Sequence, residues 1–122
     1  MCAAYLRAHV FVSCSTVENE SNSLSEAKVL GMPTVASFVG GVVDRVTHGH
    51  SGYAYPADAP YLLAHFVGEI FDNDDMAIRM GQAAQAEARV VNDRMVNHST
   101  LLEVYASVLE HQEDERSARE AF

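Results

Sequence analysis

Short apolar runs and one helical periodicity organise the first third of the chain. Residues 9–13 and residues 34–39 are apolar runs of strand length, and the second run is rich in β-branched residues. Between the two runs, apolar residues recur at helical spacing from Leu24 to Leu30, and the Gly-Met-Pro sequence at 31–33 ends that segment. A strand, a helix and a second strand in this order predict a βαβ unit with parallel strands.

The rest of the chain predicts one more strand, a short helical segment and three longer helices. Residues 42–49 have the composition of the short helical segment, and residues 51–55 form the strand. Residues 59–71 carry an apolar stripe with a helical period, and further helices are predicted over residues 75–91 and 95–109. We expect the stripe to pack in the core; its residues are Leu62, Leu63, Phe66, Val67, Ile70 and Phe71.

Three parallel strands with helices between and after them predict an α/β fold, a Rossmann-like parallel sheet with flanking helices. Residues 1–8 have the pattern of the last turns of a helix that leads directly into a strand, so we expect the natural fold to continue upstream. We expect residues 1–109 to be one partial domain and residues 110–122 to be a polar tail, helical or frayed. Exposed sheet edges favour pairing with another chain, so we expect the isolated piece to form a homodimer through such an edge, to exchange elements with a second copy, or to be only marginally stable.

The composition is that of one acidic globular domain. The chain has 122 residues, 48% of them hydrophobic, and a formal net charge of −9. This charge argues against binding to nucleic acid, which needs a basic surface. No apolar run reaches the ~18 residues of a transmembrane helix, and the amino terminus lacks the pattern of a signal peptide. These features predict a cytoplasmic protein.

The cysteines, histidines and neighbouring aspartates do not predict a metal site. Cys2 and Cys14 lack metal-ligand spacing, and we interpret Cys14 as a small hydrophobe behind a buried strand. The six histidines are scattered along the chain. Asp72-Asn73-Asp74 superficially resembles an Asp-x-Asp metal motif, but its place between two predicted helices indicates helix capping. No metal and no other cofactor are expected.

The chemistry of the chain is concentrated in the first crossover. Glu18 and Glu26 lie eight positions apart, between the first strand and the second. Open α/β sheets bind ligands at the carboxyl edge of their strands, and carboxylates there can accept hydrogen bonds from the hydroxyls of a polyhydroxylated ligand. Gly40 and Gly41 follow the second strand and would allow the close approach of the backbone to a ligand or to the facing domain.

These residues belong to an ordered set of motifs that resembles the family 4 (group 1) retaining glycosyltransferases of the two-domain GT-B type. The resemblance covers the chain from about residue 5 to about residue 105. Each motif alone is weak, but the ordered set is specific. The set, in chain order, is Glu18, Glu26-Ala27, Gly31-Met32-Pro33, Val35-Ala36-Ser37, Gly40-Gly41, His48-Gly49 and Gly52-Tyr53. The segment Asn22-Ser23-Leu24 looks like a bacterial variant of the family pattern.

The resemblance implies part of a carboxyl-terminal domain that binds a nucleotide-sugar donor, in an enzyme that transfers the sugar to an acceptor hydroxyl with retained configuration. It assigns Glu26 to the ribose diol and makes Glu18 the candidate catalytic residue, in contact with the hydroxyls of the transferred sugar. The implied donor-binding residues are Glu18, Asn22, Ser23, Leu24, Glu26, Gly40 and Gly41. No metal is implied, because basic side chains and helix-start amides offset the diphosphate charge. The full-length enzyme could attach peripherally to the inner membrane face.

The chain departs from the family pattern in its charged residues. The family usually places an arginine and a lysine from upstream strands against the diphosphate, and neither Lys28 nor Arg45 matches those positions. Glu20 adds a negative charge near the expected diphosphate, and we expect it to point to solvent. The amino-terminal acceptor domain of the family is also missing, so we expect this polypeptide alone to be inactive.

Each motif residue also has a plainer interpretation. Ser23-Leu24-Ser25-Glu26 matches a capping box, in which Glu26 only satisfies a backbone amide at a helix start. Glu18 alone is typical of a solvated loop acid, and the glycine pair alone of a tight turn. The alternative function is therefore a non-catalytic Rossmann-like interaction module. Another GT-B enzyme, such as an epimerase or a phosphorylase, ranks third, since no lysine here indicates a pyridoxal phosphate site.

Overall fold

The computed structural model describes residues 2–120, and side chains from residue 3 to residue 112. Two compact units divide the chain: the first ends at Val91 and the second begins at Asn92. The side chains of Cys2 and of the acidic tail residues Glu113, Asp114 and Glu115 lie outside the described part. The proposed boundary between residues 109 and 110 stays a prediction.

A three-stranded parallel sheet forms the centre of the first unit. Strands β1 (Phe11–Ser13), β2 (Thr34–Ser37) and β3 (Tyr53–Tyr55) lie in the order β1-β2-β3. Both strand pairs are parallel, with Phe11 opposite Thr34 and Val35 opposite Tyr53. The predicted α/β class with a Rossmann-like parallel sheet is confirmed. Pairing of a second copy along a sheet edge stays a prediction.

The described part of the chain also contains five α-helices and one 3₁₀ turn. The helices are α1 (Cys2–Tyr5), α2 (Asn22–Val29), α3 (Pro60–Asp72), α4 (Asp74–Val91) and α5 (Arg94–Glu120). Where a short helical segment was predicted over residues 42–49, the chain forms the 3₁₀ turn Gly40–Val42 followed by turns. The last helix, α5, is longer than the predicted segment 95–109.

The polar sequence between α3 and α4 is a helix cap, as predicted. The Oδ1 atom of Asn73 accepts a hydrogen bond from the backbone N–H of Met76 at 2.9 Å, which satisfies one of the free amides at the start of α4. Asp74 and Asp75 follow in the first turn, where negative charge is favourable. The metal-motif interpretation of Asp72-Asn73-Asp74 is therefore unnecessary.

Two apolar clusters cover the opposite faces of the sheet. Val35 belongs to the cluster beneath α3 and α4, and its neighbour Ala36 belongs to the cluster beneath α2, because successive strand residues point to opposite faces. Two predictions about burial were wrong. Phe71 is 56% exposed, since the buried side of α3 at that turn is occupied by Ile70. Cys14 is exposed, because it follows the end of β1 at the sheet edge.

Helices α2 and α4 pack closely at the end of α2. Gly31, with φ of 76°, reverses the chain after α2. The backbone of Gly81 in α4 lies directly against the carbonyl of Gly31, and a Cβ at position 81 would lie 3.2 Å from that carbonyl carbon. This contact fixes the direction of α2, which carries most of the candidate site.

Candidate functional site

Side chains from β2 and β3 hold the chain where it leaves β1. The Oγ atom of Ser37 donates to the carbonyl oxygen of Ser15 at 2.6 Å, and Tyr55 Oη donates to the carbonyl oxygen of Ser13 at 3.3 Å. Burial, together with the nearby Cys14 thiol, raises the pKa of Tyr55 above its ordinary value. These two hydrogen bonds connect the carboxyl ends of β2 and β3 to the chain at the carboxyl end of β1, where the β1–α2 loop begins.

The glycine pair after β2 contacts this loop through backbone atoms. The N–H of Gly41 donates to the carbonyl oxygen of Asn19 at 3.0 Å. Gly40 has φ of 50°, and a Cβ at that position would lie 2.7 Å from the carbonyl carbon of Glu18. In the structure this pair contacts the chain's own loop at Glu18 and Asn19, and the approach of a ligand or of a facing domain stays a prediction.

The Glu18 side chain is half-buried in this loop. Its Oε2 atom accepts a hydrogen bond from Ser15 Oγ at 3.4 Å, and among the described residues no other group bonds the carboxylate. The backbone of Glu18 packs against Gly40. The role of Glu18 in binding a sugar stays a prediction, and a solvated loop acid stays its alternative.

Helix α2 begins at a cap that the sequence did not indicate. Ser21 is the N-cap: its Oγ accepts from the N–H of Leu24 at 3.3 Å, and its carbonyl accepts from the N–H of Ser25 at 3.1 Å. A capping-box glutamate stands three positions after the cap, whereas Glu26 stands five positions after Ser21. The capping-box interpretation of Glu26 is therefore wrong.

The first turn of α2 leaves two amides open. The N–H groups of Asn22 and Ser23 donate to no other group in the described part of the chain. The side chains of Asn22 and Glu26 are both exposed and lie on one helix face, because they are four positions apart. Leu24 is different: its side chain is 1% exposed and its amide is capped, so neither is open to a ligand.

Arg45 and Lys28, two cations near this turn, each form an ion pair with a carboxylate. The guanidinium of Arg45 pairs with the Glu20 carboxylate and donates from Nη1 to Ser25 Oγ at 3.4 Å. Glu20 is solvent-exposed as predicted, but its charge is paired. Sequence reasoning missed this arrangement, because 25 positions separate the two partners and no local motif links them.

Lys28 has a structural position. Its side chain is 6% exposed, and Nζ donates to the carbonyl oxygen of Arg45 and to Glu87 Oε2, the latter at 2.8 Å. Burial alone would raise the pKa of Glu87, but hydrogen bonds from Lys28, Ser51 and Thr47 lower it overall. The buried ammonium thus ties α2 to α4 and to the chain at position 45, and it is not open to a ligand.

The described residues form neither a metal-binding cluster nor a membrane-spanning helix. Among the described residues, no group of three or more histidine, cysteine, aspartate or glutamate side chains is arranged to hold a metal ion. In the same part of the chain, no helix combines the length and the apolar character needed to cross a membrane.

Comparison with protein families gives one match over most of the chain. The model of the family "Glycosyl transferases group 1" matches residues 2–87. A D-inositol 3-phosphate glycosyltransferase of Corynebacterium efficiens is 34% identical over 87 residues, which are 71% of this chain and 20% of the relative. A protein of the same name from Streptomyces scabiei is 35% identical over 81 residues, 66% of this chain and 18% of the relative. The chain spans about a fifth of the length of these curated relatives.

Solved structures share the fold at lower sequence identity. Sucrose-phosphate synthase from Thermosynechococcus elongatus superposes with a TM-score of 0.81 at 23% identity, over 87% of this chain and 27% of that one. Anabaena HepE in complex with UDP-glucose superposes with a TM-score of 0.78 at 22% identity, over 85% of this chain and 29% of that one. The chain therefore shares its fold with both of these proteins.

Proposed function

The chain belongs to the group 1 glycosyl transferase family, and from this premise we propose that its β1–α2 crossover binds a nucleotide-sugar donor for transfer of the sugar to an acceptor hydroxyl. The transfer retains the anomeric configuration, as the motif resemblance implies. The acceptor is held by an amino-terminal domain, and the 122-residue polypeptide alone binds the donor without turning it over.

The observation that carries the proposal is the first turn of α2. Two open amides, those of Asn22 and Ser23, lie at the positive end of the helix dipole, where a diphosphate is favoured. The exposed carboxylate of Glu26 lies on the same helix, one turn after Asn22. A carboxylate accepts hydrogen bonds from two neighbouring hydroxyls at once, which suits it to a ribose diol. Glu26 has no capping role that would explain it otherwise.

Glu18 is the group proposed for the transferred sugar. Its carboxylate accepts a hydrogen bond from Ser15, and its backbone packs against Gly40 at the carboxyl edge of β1, which supports this role. A half-buried acid in this place can accept from sugar hydroxyls whose positions matter for transfer. The UDP-glucose bound to HepE supports a nucleotide-sugar donor as the ligand class. The charge of the leaving diphosphate is offset by helix-start amides, without a metal.

Calorimetric titration of the chain with UDP, UDP-glucose, GDP and uridine tests this proposal. We expect at least one nucleoside diphosphate to bind, and Glu26→Gln to weaken it by about tenfold or more, because a hydrogen-bonded carboxylate is lost. Glu103→Gln, which makes the same change at an exposed position of α5, is the matched control and should leave binding unchanged. Absence of binding to every nucleotide would contradict the proposal and favour the interaction module.

A further inference from the structure

We propose that Arg45 is an additional diphosphate-binding residue, and that Glu20 occupies its guanidinium until the donor displaces it. This inference rests on the proposed function, because it concerns the same ligand at the same helix. It goes beyond the family resemblance, in which the cations for the diphosphate come from upstream strands and position 45 has no assigned role.

The ion pair between Glu20 and Arg45 lies at the start of α2. Glu20 immediately precedes the N-cap Ser21, and Arg45 reaches the first turns of α2 from the segment after the 3₁₀ turn. The guanidinium contacts both the Glu20 carboxylate and Ser25 Oγ. The Arg45 guanidinium therefore lies beside the turn in which the Asn22 and Ser23 amides are open. Its present partner is the carboxylate of Glu20.

The two partners are held very differently. The backbone of Arg45 is fixed on both sides: its N–H donates to the carbonyl oxygen of Val42 at 3.0 Å, and its carbonyl accepts from the buried Nζ of Lys28. Glu20 lies outside any helix or strand, and its side chain is 60% exposed, against 25% for Arg45. When the pair separates, Glu20 can move into solvent while the guanidinium stays at the helix.

The balance of charge favours exchange. Ion pairs with this degree of exposure contribute little net stability, because water solvates the separated partners well. A diphosphate offers several oxygens and more charge than one carboxylate, and the planar fork of arginine binds such groups through two parallel hydrogen bonds. Glu20 therefore competes with the diphosphate for Arg45. This competition lowers the affinity of the protein for the diphosphate but does not prevent binding.

The proposal is tested with inorganic pyrophosphate, UDP and uridine as three separate probes in calorimetric titrations. Arg45→Gln should weaken pyrophosphate and UDP by about tenfold or more, since a charged fork is lost. Glu20→Gln should tighten both by about threefold, the size expected for an exposed pair. Uridine, which has no phosphate, should bind all variants equally. In the double variant, Glu20→Gln should have no further effect.

A second variant at position 45 distinguishes a loss of binding from a loss of folding. Arg45→Lys keeps the charge but not the fork, and it should show an intermediate loss with an unchanged thermal melting curve. Pyrophosphate affinity that is unchanged in Arg45→Gln, or lowered by Glu20→Gln, would overturn this inference even if UDP binding still depended on Glu26. If uridine and UDP fail to bind while pyrophosphate binds through Arg45, the exchange stands and the nucleotide-sugar function falls.

Discussion

Gly40 lies against the backbone of Glu18, and a Cβ at position 40 would stand 2.7 Å from the carbonyl carbon of Glu18. The same glycine has φ of 50°, so both its backbone conformation and its surroundings exclude a side chain. This contact joins the loop after β1 to the loop after β2. It thereby sets the position of the acid proposed to contact the transferred sugar.

Gly40→Ala should destabilise the chain and displace the Glu18 loop. The left-handed conformation is unfavourable for alanine, and the overlap forces the backbone to move, which together cost about 2–4 kcal/mol. Denaturant unfolding followed by circular dichroism measures this loss. Gly68→Ala is the control, because no atom lies within 4 Å of a Cβ there and alanine is the better helix former. Equal stability of the two variants would contradict the account.

Because the Lys28 ammonium is buried, Glu87→Gln should lower the free energy of unfolding more than Lys28→Met does. Glu87→Gln leaves a buried charge without its counter-ion and should cost about 3–5 kcal/mol. Lys28→Met removes the buried charge, and the Glu87 side chain, which is 31% exposed, remains solvated; this variant should therefore lose less. Free energies of unfolding from denaturant titrations compare the two variants. A larger loss of unfolding free energy for Lys28→Met would show that an unpaired Lys28 ammonium is not the more destabilising of the two charges.

The lowered pKa of Glu87 gives this pair a pH dependence. A carboxyl group with a folded pKa below its ordinary value of 4.5 stabilises the fold fully above that value and loses this contribution as the pH falls through the folded pKa. The stability gap between the wild-type chain and Glu87→Gln should therefore be constant near neutral pH and shrink below about pH 4.5. A gap that stays the same down to about pH 3 would contradict the interpretation.

The arrangement of elements was predictable from the sequence because it follows from local periodicity. The two apolar runs, the Leu24–Leu30 spacing and the stripe on α3 each identify an element whatever surrounds it. Asn73 was predictable as a cap for the same reason, since it stands between two helical patterns. The contact of the glycine pair with the chain's own loop was not predicted, because the pair indicated only an approach to a ligand or to a facing domain.

The charged part of the site was not predictable, because its partners are distant in sequence. Lys28 meets Glu87 from 59 positions away, and Arg45 meets Glu20 from 25 positions away. The cap of α2 was misplaced for a more local reason: Ser21 and Ser23 are both good caps, and only the backbone conformation selects Ser21. Cys14 shows a third limit, since residues just past the end of a strand are buried only when another element covers them.

The most direct test of the central claim compares UDP with 2′,3′-dideoxy-UDP, which lacks the ribose hydroxyls, on the wild-type chain and on Glu26→Gln. Calorimetry gives the four affinities, and the double-mutant cycle isolates the contact between Glu26 and the diol. We predict that the wild-type chain binds the dideoxy compound about tenfold more weakly, and that Glu26→Gln hardly distinguishes the two ligands. The same loss in both proteins would mean that Glu26 does not bind the diol, and would contradict the account.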